Sequence, residues 1–124
     1  MKKVLLDTNM LMIPGQFGID IFEEIDKLIN ENYELVTLSS VISELRKISK
    51  KKSKDGRAAK VALELVKHKN IAVISSKNKN VDEEIIKIVD KNTIVATNDI
   101  ELERILKNKG IKTIYLRSKK FLEY

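Results

Sequence analysis

Residues 93–99 read Thr-Ile-Val-Ala-Thr-Asn-Asp (TIVATND), and the fold turns on this stretch. Its first five residues are apolar or β-branched at both odd and even positions. Side chains of a strand alternate between its two faces. A strand apolar on both faces belongs inside a parallel sheet that helices cover on each side. Moving outward, Ile71–Ser75 (IAVIS) has the same character, and Val4–Asp7 (VLLD), Leu35–Leu38 and Thr113–Leu116 bring the strands to five. Between them lie stretches of helical spacing: Asp20–Asn30, Val41–Ile48, Arg57–Lys67, Val81–Lys91 and Ile100–Lys109. Short strands alternating with helices imply βα crossovers and a mostly parallel sheet.

Local signals set the expected boundaries. Asp20 with Glu23 resembles a capping box, Ser39 and Ser40 offer an N-cap to the helix at Val41, and Gly110 suits a left-handed cap. Asn98 with Glu101 is a second capping-box-like pair, which leaves Asp99 free for another role. The stretch Pro14-Gly15-Gln16-Phe17-Gly18 reads as a loop, residues 49–56 (SKKKSKDG) as a lysine-rich breaker, and the residues after Leu116 as a basic tail.

Composition narrows the function. At 124 residues the chain suits one domain, residues 1–124. It has no cysteine and one histidine, His68, which excludes thiolate sites, cysteine nucleophiles and multi-histidine zinc centres. His68 fits the C-terminal end of a helix, where a cation suits the dipole, better than a catalytic role. No apolar run approaches the ~20 residues of a membrane span, and Asp7 interrupts the apolar start too early for a secretory signal. A soluble, cytoplasmic protein is expected. The 24 basic against 18 acidic residues give +6 and a pI near 9.4, which is compatible with a polyanionic partner.

In open parallel sheets, ligands bind at the carboxyl ends of the strands. Asp7 closes the first strand and Asp99 follows the fourth. Glu44 lies in the first turns of the helix after the second strand, and Asp82 opens the helix after the third. Four βα junctions can therefore aim a carboxylate at one sheet edge. Carboxylates packed together repel one another. A hard divalent cation such as Mg²⁺, which prefers oxygen ligands, relieves that repulsion and can activate water against a phosphodiester.

The series Asp7-Thr8-Asn9, Glu44, Asp82 and Thr97-Asn98-Asp99 resembles the PIN-domain nuclease family over nearly the whole chain. The resemblance implies a three-layer α/β/α sandwich on a central, mostly parallel five-stranded sheet. It implies Mg²⁺- or Mn²⁺-dependent endonucleolytic hydrolysis of single-stranded RNA, with Asp7, Glu44, Asp82 and Asp99 as the acidic quartet holding the metal. Thr97 corresponds to the family hydroxyl that orients the acids. With water as the attacking group, products would carry a 5′ phosphate and a 3′ hydroxyl. The Pro14–Gly18 stretch is more similar to archaeal relatives of the nucleases that process small-subunit ribosomal RNA than to VapC-type toxins. Those larger relatives can carry a cysteine module that this chain lacks. Ribosomal RNA processing is the first expectation. A VapC-type toxin held by an antitoxin protein, or a non-catalytic RNA-binding PIN protein, are the alternatives. Family members of this kind often pair, so a homodimer is also expected.

Each residue has a plainer reading. Asp7 can hydrogen-bond its own turn, Glu44 can pair with Lys47 on the helix surface, and Asp82 can serve the helix dipole beside Glu83 and Glu84. Asp90 rivals Asp82 but lies eight residues on, roughly 12 Å along a helix. Thr97 and Asn9 can be a β-former and a turn residue. Lys50, Lys51, Lys52 and Lys54, with Arg46 and Arg57, form either a solvated surface or a phosphate-binding cluster near the catalytic edge. Phe22 belongs to the core, and Phe17, just beyond Asp7, is the better aromatic to touch a base. The Lys119-Lys120-Phe121-Leu122 stretch can dock on a neighbour or on its own sheet edge.

Overall fold

Thr93–Ala96 is buried at every position, as are Val4, Leu5 and Leu6. Because alternate side chains face opposite ways, continuous burial means that helices cover both faces of the sheet. The structure is a computed structural model that describes residues 1–77, 80–117 and 121–124. Its elements run β1 (Lys2–Leu6), α1 (Thr8–Phe17), α2 (Ile21–Leu28), β2 (Tyr33–Leu38), α3 (Ser39–Ser49), α4 (Lys54–His68), β3 (Ala72–Ile74), α5 (Val81–Ile88), β4 (Thr93–Ala96), α6 (Ile100–Asn108), β5 (Lys112–Arg117) and β6 (Phe121–Glu123). Among the described residues no helix is long and apolar enough to cross a membrane.

The strands form one sheet in the order β3-β2-β1-β4-β5-β6, parallel throughout except for the antiparallel β5–β6 pair. The chain leaves β1 toward one edge through β2 and β3, then returns to place β4 on the other side of β1. The β1–β4 seam is therefore the point where the winding reverses, and the crevice beyond its carboxyl ends is where such sheets bind ligands. Leu6 pairs with Ala96 in register, which sets Asp7 level with Thr97.

Among the described residues the sheet has six strands where five were expected. The sixth is a three-residue edge strand in the stretch read as a basic tail. Leu122 is buried there, and β6 packs against α2. Phe121 and Leu122 thus dock on the chain's own sheet edge, while Lys119 and Lys120 lie outside the described residues. The stretch Pro14–Gly18 is not a loop either. It forms the end of α1, with Pro14 inside the helix and Gly18 closing it at φ 66. Gly110, at φ 77, follows α6 in the same left-handed conformation, as expected. The lysine-rich breaker is shorter than expected, because α4 begins at Lys54 with Ser53 as its N-cap.

Helix α3 starts without a cap from its own flank. Ser39 and Ser40 lie inside it, and the capping oxygen comes from across the sheet edge. Ser76 Oγ accepts the Ser40 N–H at 3.1 Å, and the Ser76 N–H donates to Ser39 Oγ at 2.8 Å. The three serines tie the end of β3 to the start of α3.

Candidate active site

Asp7 begins the site because it ends β1 and caps α1 together. Its Oδ1 accepts the Met10 N–H at 2.8 Å, satisfying a free donor of the first helical turn. Its Oδ2 accepts the Thr97 hydroxyl. The Thr97 oxygen in turn accepts the Asp99 N–H at 3.1 Å. One fully buried threonine thus links the acids of β1 and of the β4–α6 junction. Burial pushes the Asp7 carboxyl up to about 6; the bonds from Thr97 and Met10 pull the other way, and the charges of Asp82 and Asp99 add to the rise.

Asp99 is itself the N-cap of α6, accepting the Leu102 N–H at 3.1 Å. The capping pair assigned to Asn98 and Glu101 does not form. Asn98 Oδ1 instead accepts the Leu116 N–H at 2.7 Å, and Glu101 pairs with Arg104. Asp99 caps its helix and still faces the crevice. Asp82 stands in the first turn of α5, which Asn80 caps through the Glu83 N–H. Its carboxyl is also raised, first by burial, then by the charge of Asp99, with Glu44 contributing. Glu44 Oε1 accepts the Thr8 hydroxyl.

These four carboxylates line one open pocket of about 410 Å³ with Thr8, Asn9 and Asn80. Among the described residues, no lysine or arginine lines it. Among the described residues, no three acidic side chains are already drawn together as a metal-holding group. Asp7, Glu44 and Asp99 each give an oxygen to a protein donor, and the Asp82 carboxyl lies beside that of Asp99. The donor set is nevertheless all oxygen and strongly anionic, which is the chemistry a hard divalent cation takes.

The other expected residues divide. Asp90 is exposed and turned to its own loop, where it accepts from Asn92 N–H and the Thr93 hydroxyl. Lys50, Lys51, Lys52, Lys54 and Arg57 are exposed around the α3–α4 turn, and none lines the pocket. Arg46 faces a separate groove. Phe17 ends α1, about 15 Å along the helix from Asp7, so it is not just beyond that acid as a loop would place it. His68 ends α4, 3.7 Å from Glu64. Thr8 and Asn80 were missed as site residues. The sequence signal for both was a polar residue beside an expected acid at a βα junction.

Four acids that follow the strands of the order β3-β2-β1-β4, with a threonine bridging two of them, narrow the choice of family. A family model described as a PIN like domain matches residues 4–119. The chain belongs to the PIN-domain nuclease family. It is 33% identical to Ribonuclease VapC4 of Methanocaldococcus jannaschii, across 99% of this chain and 96% of that protein. Among solved PIN structures it is similar to the PIN domain endonuclease Utp24, with a TM-score of 0.79 and 24% identity over 98% of this chain and 90% of that one. It also shares the fold of VapBC-1 from nontypeable Haemophilus influenzae, with a TM-score of 0.58 and 13% identity over 90% and 96% of the two chains.

Proposed function

We propose that this chain, as one PIN domain spanning residues 1–124, is an endoribonuclease that hydrolyses single-stranded RNA with the help of Mg²⁺ or Mn²⁺. The observation that carries the reading is the single pocket lined by Asp7, Glu44, Asp82 and Asp99. Those four residues would hold the ion. When bound, it neutralises phosphate charge and eases deprotonation of water. The chain's own part is positioning. The Thr97 hydroxyl and the Met10 N–H fix both Asp7 oxygens, the Leu102 N–H fixes Asp99, and the Thr8 hydroxyl fixes Glu44. Such fixed ligands reduce the reorganisation needed at the moment of reaction. Water oxygen bonds to phosphorus, the P–O3′ bond breaks, and the products carry a 5′ phosphate and a 3′ hydroxyl.

Two settings fit the activity. The whole-length likeness to Ribonuclease VapC4 favours a toxin-type ribonuclease restrained by an antitoxin protein in the cytoplasm. The processing of ribosomal RNA rests on Pro14–Gly18, which belongs to α1 rather than to a loop, and so carries less weight. A homodimer would extend the RNA-binding surface in either setting.

The test is a map of cuts on a mixed pool of precursor ribosomal RNA, messenger RNA and transfer RNA, with Asp7→Asn as control. Cleavage that needs Mg²⁺ or Mn²⁺, stops in excess chelator and leaves 5′ phosphates is expected. Cleavage that persists in chelator, or a 2′,3′-cyclic phosphate end, would overturn the mechanism. Binding of RNA with no cleavage under any divalent metal would leave the non-catalytic alternative. Cuts at mature ribosomal RNA ends select processing, and growth arrest on expression that Asp7→Asn abolishes selects the toxin.

A further inference from the structure

Helix α3 carries three adjoining hollows on successive stripes of its surface. Glu44 and Ile48 face the acidic pocket. Ser40, Ser43, Glu44 and Lys47, at the i, i+3, i+4, i+7 spacing of one helical face, line a second groove of about 330 Å³ that Ser76 and Lys77 close from the end of β3. Ser39, Ile42, Ser43 and Arg46, the next stripe round, line a third groove whose far wall includes Lys67 and also Glu64, which faces His68 at 3.7 Å. Glu44 is common to the first and second hollows, and Ser39 and Ser43 to the second and third. The surface therefore runs without a break from the acidic pocket to Arg46.

Charge gives that path a direction. Lys47, Lys77, Arg46 and Lys67 are exposed, and among the described residues none of them has a carboxylate within ion-pair distance. The opposite rim places Asp82 and Asp99 in the pocket itself, with Glu83 and Glu84 beside Asp82 in the first turn of α5, whereas Glu101 and Glu103 of α6 are ion-paired with Arg104 and Lys107. A phosphodiester strand entering a pocket of four carboxylates is repelled from the α5–α6 side and attracted to the α3 side. The serine lattice holds the Lys77 backbone against α3, since Ser76 bonds to both Ser39 and Ser40. Lys47 and Lys77 thus form the two sides of a groove one step from the candidate cleavage site.

Resting on the nuclease reading above, we infer that this groove is the binding path of the RNA backbone. The Lys47–Lys77 groove takes the phosphate next to the scissile one, and the strand continues toward Arg46 and Lys67. Contacts of this kind hold a strand without reading its bases.

The experiment measures binding of an unstructured polyuridine oligonucleotide to the full chain in chelator, across a salt series, beside cleavage kinetics in Mg²⁺. Lys47→Ala with Lys77→Ala is compared with Lys60→Ala, an exposed lysine of α4 that lines none of the three hollows. The double variant is expected to bind about tenfold more weakly and to lower the salt slope by about 1.4, at about 0.7 per lost single-strand contact. Its KM should rise with kcat little changed, and Lys47→Arg with Lys77→Arg should restore binding. An unchanged affinity and salt slope in a wild-type-like fold would overturn the inference even if cleavage is intact. So would an acidic peptide that needs both lysines while RNA does not, because the groove would then belong to a protein partner. Lysine-dependent binding without cleavage in any divalent metal would sink the nuclease reading and leave the path standing.

Discussion

Thr97 donates its hydroxyl to Asp7 and accepts the Asp99 N–H at 3.1 Å, from a position with no solvent exposure. One side chain thereby fixes two acids that lie 92 residues apart in the chain. Thr97→Val keeps the shape and removes both bonds. It leaves a buried carboxylate oxygen and a backbone N–H without partners, which typically costs about 1–3 kcal/mol. Urea unfolding should show that loss, and cleavage should fall by more than tenfold, because Asp7 and Asp99 are no longer held in relation to each other. Thr97→Ser keeps the hydroxyl and should recover most of both. Equal activity in Thr97→Val and wild type would remove the hydroxyl from the site.

The Asp7 carboxyl keeps its proton to about pH 6 when the chain is folded, against an ordinary value of 3.8. Between those values the folded chain binds a proton that the unfolded chain has released. Stability is therefore fully present below the window and falls as pH rises through it, by roughly 3 kcal/mol if the whole gap is realised. Asp82 is raised in the same direction and adds to the trend. Thermal melts in chelator should show Tm dropping between about pH 4 and pH 6, and Asp7→Asn should flatten that drop. Mg²⁺ added above the window should raise Tm in the wild type and much less in Asp7→Asn.

Gly15 sits where α1 meets α4. A Cβ there would stand 2.6 Å from the Ala58 Cα and 3.0 Å from its Cβ. The first contact is with backbone, so the two helices must separate to admit it. Gly15→Ala should lower stability by about 1–3 kcal/mol, the usual range for overpacking, despite alanine's better helix propensity. Urea midpoints with an unchanged m-value would measure this. A more stable Gly15→Ala would mean that the α1–α4 contact is looser than described.

The parts of the fold that could be read from the sequence are those with an uneven pattern. Thr93–Ala96 is buried on both faces, α2 and α6 show clear amphipathic stripes, and the four acids recur at successive βα junctions. Helix α1 was illegible because Met10, Leu11, Met12 and Ile13 are all buried. Four consecutive buried residues cover every side of one helical turn and show no 3.6-residue stripe, and Pro14 with Gly15 then looks like a turn. The cap of α3 was illegible for another reason. It comes from Ser76, 36 residues after Ser40, and no local rule reaches that far. Asp99 shows the limit of capping rules: Asn98 and Asp99 both suit an N-cap, and the Asn98 bond to the Leu116 N–H settles the choice in favour of Asp99.

Asp82 and Asp90 were rivals for one role, and their surroundings now predict opposite behaviour. Asp82 faces Asp99 and Glu44 across the pocket, and its carboxyl is raised by burial and by their charge. Asp90 accepts two hydrogen bonds from its own loop, from Asn92 and Thr93, and these hold its carboxyl below the ordinary range. Removing the Asp82 charge relieves repulsion, so Asp82→Asn should raise the Tm of the metal-free chain while reducing cleavage at least tenfold. Removing the Asp90 charge weakens bonds that brace the turn before β4, so Asp90→Asn should lower Tm and leave cleavage near wild type. Paired melts in chelator and cleavage rates in Mg²⁺ separate the two. If Asp90→Asn abolished cleavage and Asp82→Asn did not, α5 would contribute its acid from the wrong end, and the pocket described here would not be the place of reaction.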